Sequence, residues 1–570
     1  MTDLPALIRA ARAKEPADLV FVGGRIFNVF TGELEECSLA VKNGLIAGLG
    51  RYQGLETVSV EGRILAPGFI EPHLHLESTR LHPAELARVI VPRGTTTLVA
   101  DPHEIANVLG LKGIEYLIEA VEGLPLDIFF MAPSCVPATP LETSGAELDA
   151  RALAALVSQP RILGLAEMMN YPGVLEALPQ VLDKIALFNH RPRDGHAPLL
   201  RGPDLCAYLA AGLSTDHECT TLEEAREKVA RGMRVFLREG STAKNLAALA
   251  PVVTGHNLRR IGLCSDDRHA DDLLTEGHLD HLLRRAVGLG LSQAQALTML
   301  TLNAAEAYGL EDRGALAPGR RADVVVLKDD GGLEVEQVYK DGRRVAAKGK
   351  CLAEISPVLL PDWASPMNPG PLDLSLLRLP AAGRRVRVIE LVKDQLLTEA
   401  AVAEAPVRRG LLSADPEKDL VRLVVVERHH GTGRIGQGLV RGLGLKRGAL
   451  ASTVAHDSHN IIAAGVSEEE LLLAIKTVAR MRGGLAVVIG EQVAAELPLP
   501  LAGLMSPAPA IEVAAAGRRL AEAARLTGCQ VPDPFMILSF LALPVIPRLK
   551  LTDKGLVDVD RFEIVDLFLG

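Results

Sequence analysis

The chain is poor in aromatic residues: Phe, Tyr and Trp together make up 3% of its 570 residues, with a single Trp. That is too few to build stacking platforms along a single-stranded nucleic acid, and it leaves the core to Leu, Val, Ile and Ala. Positive charge is also in deficit. The formal net charge of -10 argues against general affinity for nucleic acid or an anionic membrane. Cysteine is sparse and dispersed, seven residues without a C-x-x-C pair, as in a reduced intracellular protein rather than a disulfide framework. Long hydrophobic runs are missing as well. The most apolar late segment, 534–547, is punctuated by prolines and falls short of the roughly 20 residues of a membrane helix. Residues 1–19 are interrupted by Arg9, Arg12, Lys14 and Glu15 and offer no apolar stretch of signal-peptide type. The expectation is a soluble, cytoplasmic protein whose partner is a small molecule, with neither nucleic acid nor membrane involved.

Hydrophobic residues at 48% and charged residues at 23% describe a folded chain, long enough for several domains. Residues 18–30 read as a hairpin, apolar runs on either side of Gly23-Gly24, and further short β-type runs follow as far as 65. From Pro67 to about 310 the texture changes. Apolar runs at 96–100, 128–131, 162–165, 234–237 and 261–264 alternate with helical patterns such as 222–231 and 279–289. This alternation is the signature of a parallel β/α barrel. Short strands return after it, around 319–327. The expected fold is therefore α/β: a (β/α)8 TIM-like barrel over 67–310 and a small β domain assembled from 1–66 and 311–356. A Pro-rich linker over 357–383 leads to a C-terminal α/β domain over 384–570.

Reactive groups of such barrels sit at the C-terminal ends of strands, and polar clusters fall there repeatedly. His73 and His75 follow Pro67-Gly68, and on a strand residues i and i+2 point the same way. Alone, the pair is equally explained by a half-buried strand that happens to carry two histidines. Asp101-Pro102-His103-Glu104 follows 96–100, Glu167 follows 162–166, and Asp194-Gly195-His196 follows a short segment after Arg191. The Thr215-Asp216-His217-Glu218 cluster follows the apolar run 209–213, and Ser265-Asp266-Asp267-Arg268 follows 261–264. His73, His75, Glu167, His196, His217 and Asp266 together supply imidazoles and carboxylates enough for two divalent ions. A bridging Glu167 would hold such ions about 3.5–4 Å apart. Hydroxide between them is accessible near neutral pH, and Asp266 is placed to accept its proton.

These motifs carry a resemblance. PGFIEPHLHLES and the late SDD look like the amidohydrolase superfamily. PRGTTTLVADPHEIANV, AEMMN, DGHAP, STDHE, REGSTAKNL and CSDDRHADDLLTEGHLDHLLR together resemble the bacterial adenine deaminase family. So do GRIGQGLVRGLGLKRGALASTVAHDSHNI and PFMILSFLALPVIPRLKLTDKGLVDV near the C-terminus. The resemblance spans nearly the whole chain. It implies hydrolysis of adenine to hypoxanthine and ammonia by a hydroxide bridging two divalent metals, manganese first, with iron or zinc as alternatives. It also implies a homo-oligomer, expected as a dimer. Relatives within the superfamily often bridge with a carboxylated lysine; AEMMN has none and keeps the glutamate form. Asp266 is then the catalytic base and Glu218 the candidate acid, while Glu77, Asp101, His103 and Asp267 are candidates for supporting ligands or touching substrate. The Arg191-Pro192-Arg193 lead-in leaves the start of the strand before His196 in doubt. A cyclic-amide hydrolase of dihydroorotase or hydantoinase type is the alternative on the same barrel, but it predicts a lysine bridge and no long C-terminal domain. Gly431-Thr432-Gly433-Arg434-Ile435-Gly436 matches G-x-G-x-x-G literally, yet the glycine run continues where a dinucleotide site needs a helix. His456-Asp457-Ser458-His459-Asn460 is expected to cap or support the barrel mouth, with a second metal site as the other reading, and His82, His256, His278 and His281 are read as surface or structural.

Overall fold

The central strands alternate in a way that sorts their side chains into two cores. The structure, a computed structural model, describes residues 3–393, 395 and 397–569; Met1 and Thr2, the first residues of the 1–19 segment, lie outside them. Eight short parallel strands run through the region of alternating texture. They are β1 Phe69–Leu74, β2 Thr95–Ala100, β3 Asp127–Ala132, β4 Ile162–Met168, β5 Arg193–Gly195, β6 Thr215–Asp216, β7 Arg234–Arg238 and β8 Ile261–Cys264. Ile70, Val99, Met131, Ala166, Phe236 and Cys264 gather into one inner cluster, which Tyr308 and Leu310 join. Leu98, Phe130, Leu165, Val235 and Leu263, their neighbours along each strand, pack outward with the helices in the main core. This is the period-two division of a strand with both faces buried.

Strands β1 to β5 form one parallel sheet and β6 to β8 another. Backbone bonds cross between them at both seams. Ser214 donates to the Arg193 carbonyl at 3.1 Å, and Asp266 donates to the His73 carbonyl at 3.1 Å. The arrangement is a TIM-like barrel within an α/β protein. Two details of the barrel differ from the sequence reading. The apolar run 209–213 is the end of helix Gly202–Ala210 and the turn after it, so β6 is only two residues long. The doubtful start before His196 resolves into a three-residue β5, whose preceding Pro192 carbonyl accepts the Leu165 amide at 3.0 Å.

The expected hairpin at 18–30 is absent. Ala17–Val22 pairs with Ser38–Lys42 and Gly54–Ser59, whereas Arg25–Asn28 joins a different sheet beside Arg63–Pro67. At Gly24 an added Cβ would meet the Val60 carbonyl at 2.8 Å. The chain slips past that carbonyl and changes sheets instead of folding back. Arg63–Pro67 also pairs antiparallel with Val324–Lys328, Leu65 opposite Val326, so chain from before and after the barrel shares one seven-stranded sheet.

The segment 357–383 is packed rather than free: Ala364 and Leu377 are buried, and the Lys112 ammonium lies 3.9 Å over the Trp363 ring. Beyond it, a nine-stranded sheet is paired almost entirely antiparallel, Arg385–Leu391 with Ile435–Arg441 being a parallel exception. Its helix Glu468–Arg480 starts at Ser467, which caps Glu470 N, and carries three glutamates in the first turn and Arg480 in the last, matching cap chemistry and the helix dipole. The Gly-rich run ends in strand Ile435–Arg441, not in a helix. This unit docks on the loops after β1 and β3. His82 N donates to the Ser506 carbonyl and Ser506 N to the Arg80 carbonyl, both at 2.9 Å, while Asn460 Nδ2 donates to the Thr143 carbonyl at 2.8 Å. Among the described residues no helix is long and apolar enough to cross a membrane.

Gly164 in β4 shows how tightly the barrel strands approach, since a Cβ there would meet the Pro192 carbonyl at 1.9 Å. Gly164→Ala should lower the barrel's unfolding temperature, at a cost of about 1–3 kcal/mol, measured by differential scanning calorimetry.

Candidate metal centre and active site

β1 delivers its two histidines through an irregularity. Its register against β2 shifts between Glu71 and Leu74, around Pro72, which has no amide to give a ladder. Ile70 faces the inner core, yet His73 and His75 face the mouth. Glu71, fully buried, supports this bend: its carboxylate accepts from the His73 amide at 3.2 Å and from the Ser265 hydroxyl at 2.7 Å. Across the seam Asp266 adopts φ +60°, a left-handed backbone that Asp tolerates better than most residues. Its carbonyl accepts from His75 N at 3.4 Å.

The side chains converge on Glu167 at the end of β4. Its Oε1 faces His75 Nε2 at 3.5 Å and His103 Nδ1 at 3.6 Å; its Oε2 faces His196 Nδ1 at 2.8 Å and His217 Nε2 at 3.2 Å. Asp266 Oδ1 lies 3.3 Å from His75 Nε2 and 3.7 Å from His73 Nε2. The His73 and His217 rings stack with centroids 3.9 Å apart. All six residues read as ligands therefore meet in one place, and His103 joins them. Glu218 Oε1 lies 3.6 Å from His217 Nε2 at the more open side, where His196 is a quarter exposed. Asp101 sits behind His103, its Oδ1 accepting from the His103 amide at 3.0 Å. Glu77 is buried, with Oε1 on the Ile105 amide at 3.0 Å. Asp267 accepts from Ser78 Oγ and does not touch Arg268, which turns to Glu276 and the Gly240 carbonyl.

Arg238, at the end of β7, was not singled out from the sequence. Its guanidinium bonds both oxygens of Glu218 and also Asp266 Oδ2. The available signal was its place, immediately after an apolar run in the REGS motif. Burial would raise the Asp266 carboxyl, but Arg238, with His75 and His217, holds it well below the usual carboxylate range. Glu167 is likewise held low against its burial by His196 and His217. Burial and the stacked His217 push the His73 imidazole well below its ordinary value, so its lone pair is free. Burial, with Glu104 nearby, pushes the Glu77 carboxyl up to about 7.

Divalent ions fit this donor set. His73 Nε2 is buried without a hydrogen-bond partner, a costly state for a polar atom unless something coordinates it. The triads His73–His75–Asp266 and His73–Glu167–His217 each place their donor atoms within 4.8 Å of one another. Mixed imidazole and carboxylate donors without thiolate suit first-row ions such as Mn, Fe or Zn.

Residues 64–345 match the amidohydrolase family, and residues 395–563 match the adenine deaminase C-terminal domain. The chain is 47% identical over 570 residues to adenine deaminase 2 of Carboxydothermus hydrogenoformans, covering 100% of both chains. It belongs to the adenine deaminase family. It is also 48% identical to the adenine deaminase of Desulfatibacillum aliphaticivorans, over 99% of each chain, and 48% identical to that of Nitratidesulfovibrio vulgaris, over 98% of this chain and 97% of that one. Among solved structures, a β-aspartyl dipeptidase from Fervidobacterium islandicum AW-1 aligns with 59% of this chain and 99% of its own, at 17% identity and a TM-score of 0.46. The amidohydrolase match and the donor clusters together imply divalent metal ions in this member of the adenine deaminase family.

A buried ion network holds the β5 and β6 loops from behind. Lys228, wholly buried, donates to Asp216 Oδ2 at 3.0 Å, Glu224 Oε1 at 2.7 Å and the Ala197 carbonyl at 2.7 Å. Asp216 in turn accepts from the Ala197 and Glu218 amides, so residues beside His196 and His217 hang on one ammonium. Lys228→Met strands two buried carboxylates and should cost about 3–5 kcal/mol, read as a lowered denaturation midpoint, with reduced metal retention on gel filtration.

Proposed function

We propose that this chain deaminates adenine, with water, to hypoxanthine and ammonia. The observation that carries the reading is Glu167: each oxygen of one buried carboxylate faces its own imidazoles, in a chain that matches adenine deaminases from end to end. The C-terminal match favours this over a cyclic-amide hydrolase. The domain division, 1–66 with 311–356, 67–310, 357–383 and 384–570, belongs to the same reading, as does closure of the eight strands into a complete (β/α)8 ring. A cytoplasmic location and a homodimer are further parts of it.

His73, His75, Glu167, His196, His217 and Asp266 are the residues proposed to hold two divalent ions, manganese first and iron or zinc otherwise. Bound there, the ions supply Lewis acidity that makes water a nucleophile near neutral pH. Asp266, kept ionised by Arg238, takes the proton of the attacking water. Glu218 delivers a proton to the ring nitrogen, and Arg238 fixes its orientation through the two-point contact. Asp266 passes the proton it took to the exocyclic amine, the C–N bond breaks and ammonia leaves, while the other proton of the water replaces the one Glu218 gave. Glu77 and Ser78, with the Ser78–Asp267 contact behind them, line a cavity against Val454, His456, Phe535 and Met536 of the C-terminal unit.

Ammonia release decides the substrate. Protein stripped by chelator should be inactive, and manganese should restore turnover of adenine but not of adenosine, cytosine or a cyclic imide. Turnover of the imide with none of adenine would overturn the assignment. Arg238→Gln removes the cation that holds Asp266 down. The Asp266 carboxyl then rises, the ionised base is lost at higher pH, and the acid limb of kcat/KM should move upward. Turnover at neutral pH should fall about 100-fold, seen in a pH–rate profile.

A further inference from the structure

Two motifs separated by more than half the chain meet at the edge of the site just described. His103 and Glu104 follow β2, and His456 and Asp457 follow strand Ala449–Ser452 of the C-terminal unit. All four side chains are more than nine-tenths buried. We propose that they form a further divalent-cation site, distinct from the pair around Glu167 and shared between the barrel and the C-terminal unit.

Three of the four donor spacings suit one ion, and the fourth is a direct His456–Glu104 contact that would open on binding. His103 Nε2 lies 3.8 Å from Glu104 Oε1 and 3.9 Å from Asp457 Oδ1; His456 Nδ1 lies 2.7 Å from Glu104 Oε1 and 3.7 Å from Asp457 Oδ1. Bonds of about 2.0–2.2 Å to one ion put neighbouring donors roughly 3–4 Å apart. His103 is free to serve here because its two nitrogens face opposite ways. Nδ1, buried without a hydrogen-bond partner, lies 3.3 Å from Asp101 Oδ1 and 3.6 Å from Glu167 Oε1, and Nε2 faces the new cluster.

Glu104 meets His456 at one oxygen and His459 at the other, whereas Asp457 Oδ2 is buried with no hydrogen-bond partner. Among the described residues no lysine or arginine lies within ion-pair distance of Glu104 or Asp457. Two buried carboxylates without a strong cation are expensive, and a divalent ion offsets both. Two imidazoles with two carboxylates select Mn, Fe or Zn over Mg or Ca. The site would clasp the C-terminal unit to the barrel.

The proposal stands whether or not adenine is the substrate, and the test reads metal rather than turnover. Chelated protein is reloaded with manganese chloride, desalted and assayed by mass spectrometry of the metal. Wild type should retain about three equivalents per chain, and Asp457→Ala and His456→Ala about two each. Two equivalents in wild type, or an unchanged count in both variants, would sink the idea. Anomalous diffraction from manganese-soaked wild-type crystals decides it independently of how the variants fold: a peak among the four side chains supports the site, and no peak there overturns it. Adenine turnover in the same wild-type sample reports separately on the proposed reaction.

Discussion

Imidazoles from four different strand ends are drawn to one carboxylate, and the rest of the barrel mouth is arranged around the cost of that meeting. Glu167 is buried where a bare negative charge is unfavourable, and its surroundings must supply positive charge or coordination on both of its oxygens. His75 and His103 approach from one side, His196 and His217 from the other. The two sides come from different arcs of the ring, so the geometry of one carboxylate depends on how both arcs are closed.

Behind that meeting lie two cationic supports with different tasks. Lys228 is out of reach of the reacting space and organises backbone, tying Asp216 and the Ala197 carbonyl into one knot. Arg238 is in front, and its planar fork can grip Glu218 while still reaching Asp266, a geometry that an ammonium could not match. One support fixes the backbone beside His196 and His217, and the other holds the Asp266 carboxyl low. The C-terminal unit completes the enclosure, since loops after β1 and β3 are its docking points.

Much of this was legible in the chain, because strand ends announce themselves as polar residues after apolar runs. His73, His75, Glu167, His196, His217 and Asp266 were all visible that way and stand together in the structure. Arg238 was passed over because an arginine after an apolar run reads as an ordinary solvated end, and nothing local says that it turns inward onto two carboxylates. The hairpin at 18–30 misled for a related reason. A Gly-Gly between apolar runs is a turn signal, but the partner that wins Arg25–Asn28 is Arg63–Pro67, which is remote in sequence. The run 209–213 reads as strand because short apolar runs do not distinguish a strand from the end of a helix. The approach of His456 and Asp457 to His103 is a long-range fact that no local pattern carries.

Asp266 has a double position: its backbone stitches the last strand to the first, and its side chain faces His73 and His75 across the same stitch. A ring of strands is open until its ends meet, and here the ends meet at three of the residues proposed to hold metal. An ion held by those three residues would therefore act as a buckle as well as a reagent. Assembly of the ring and readiness for chemistry become a single event, and a chain that has not closed has no place for the metal to settle.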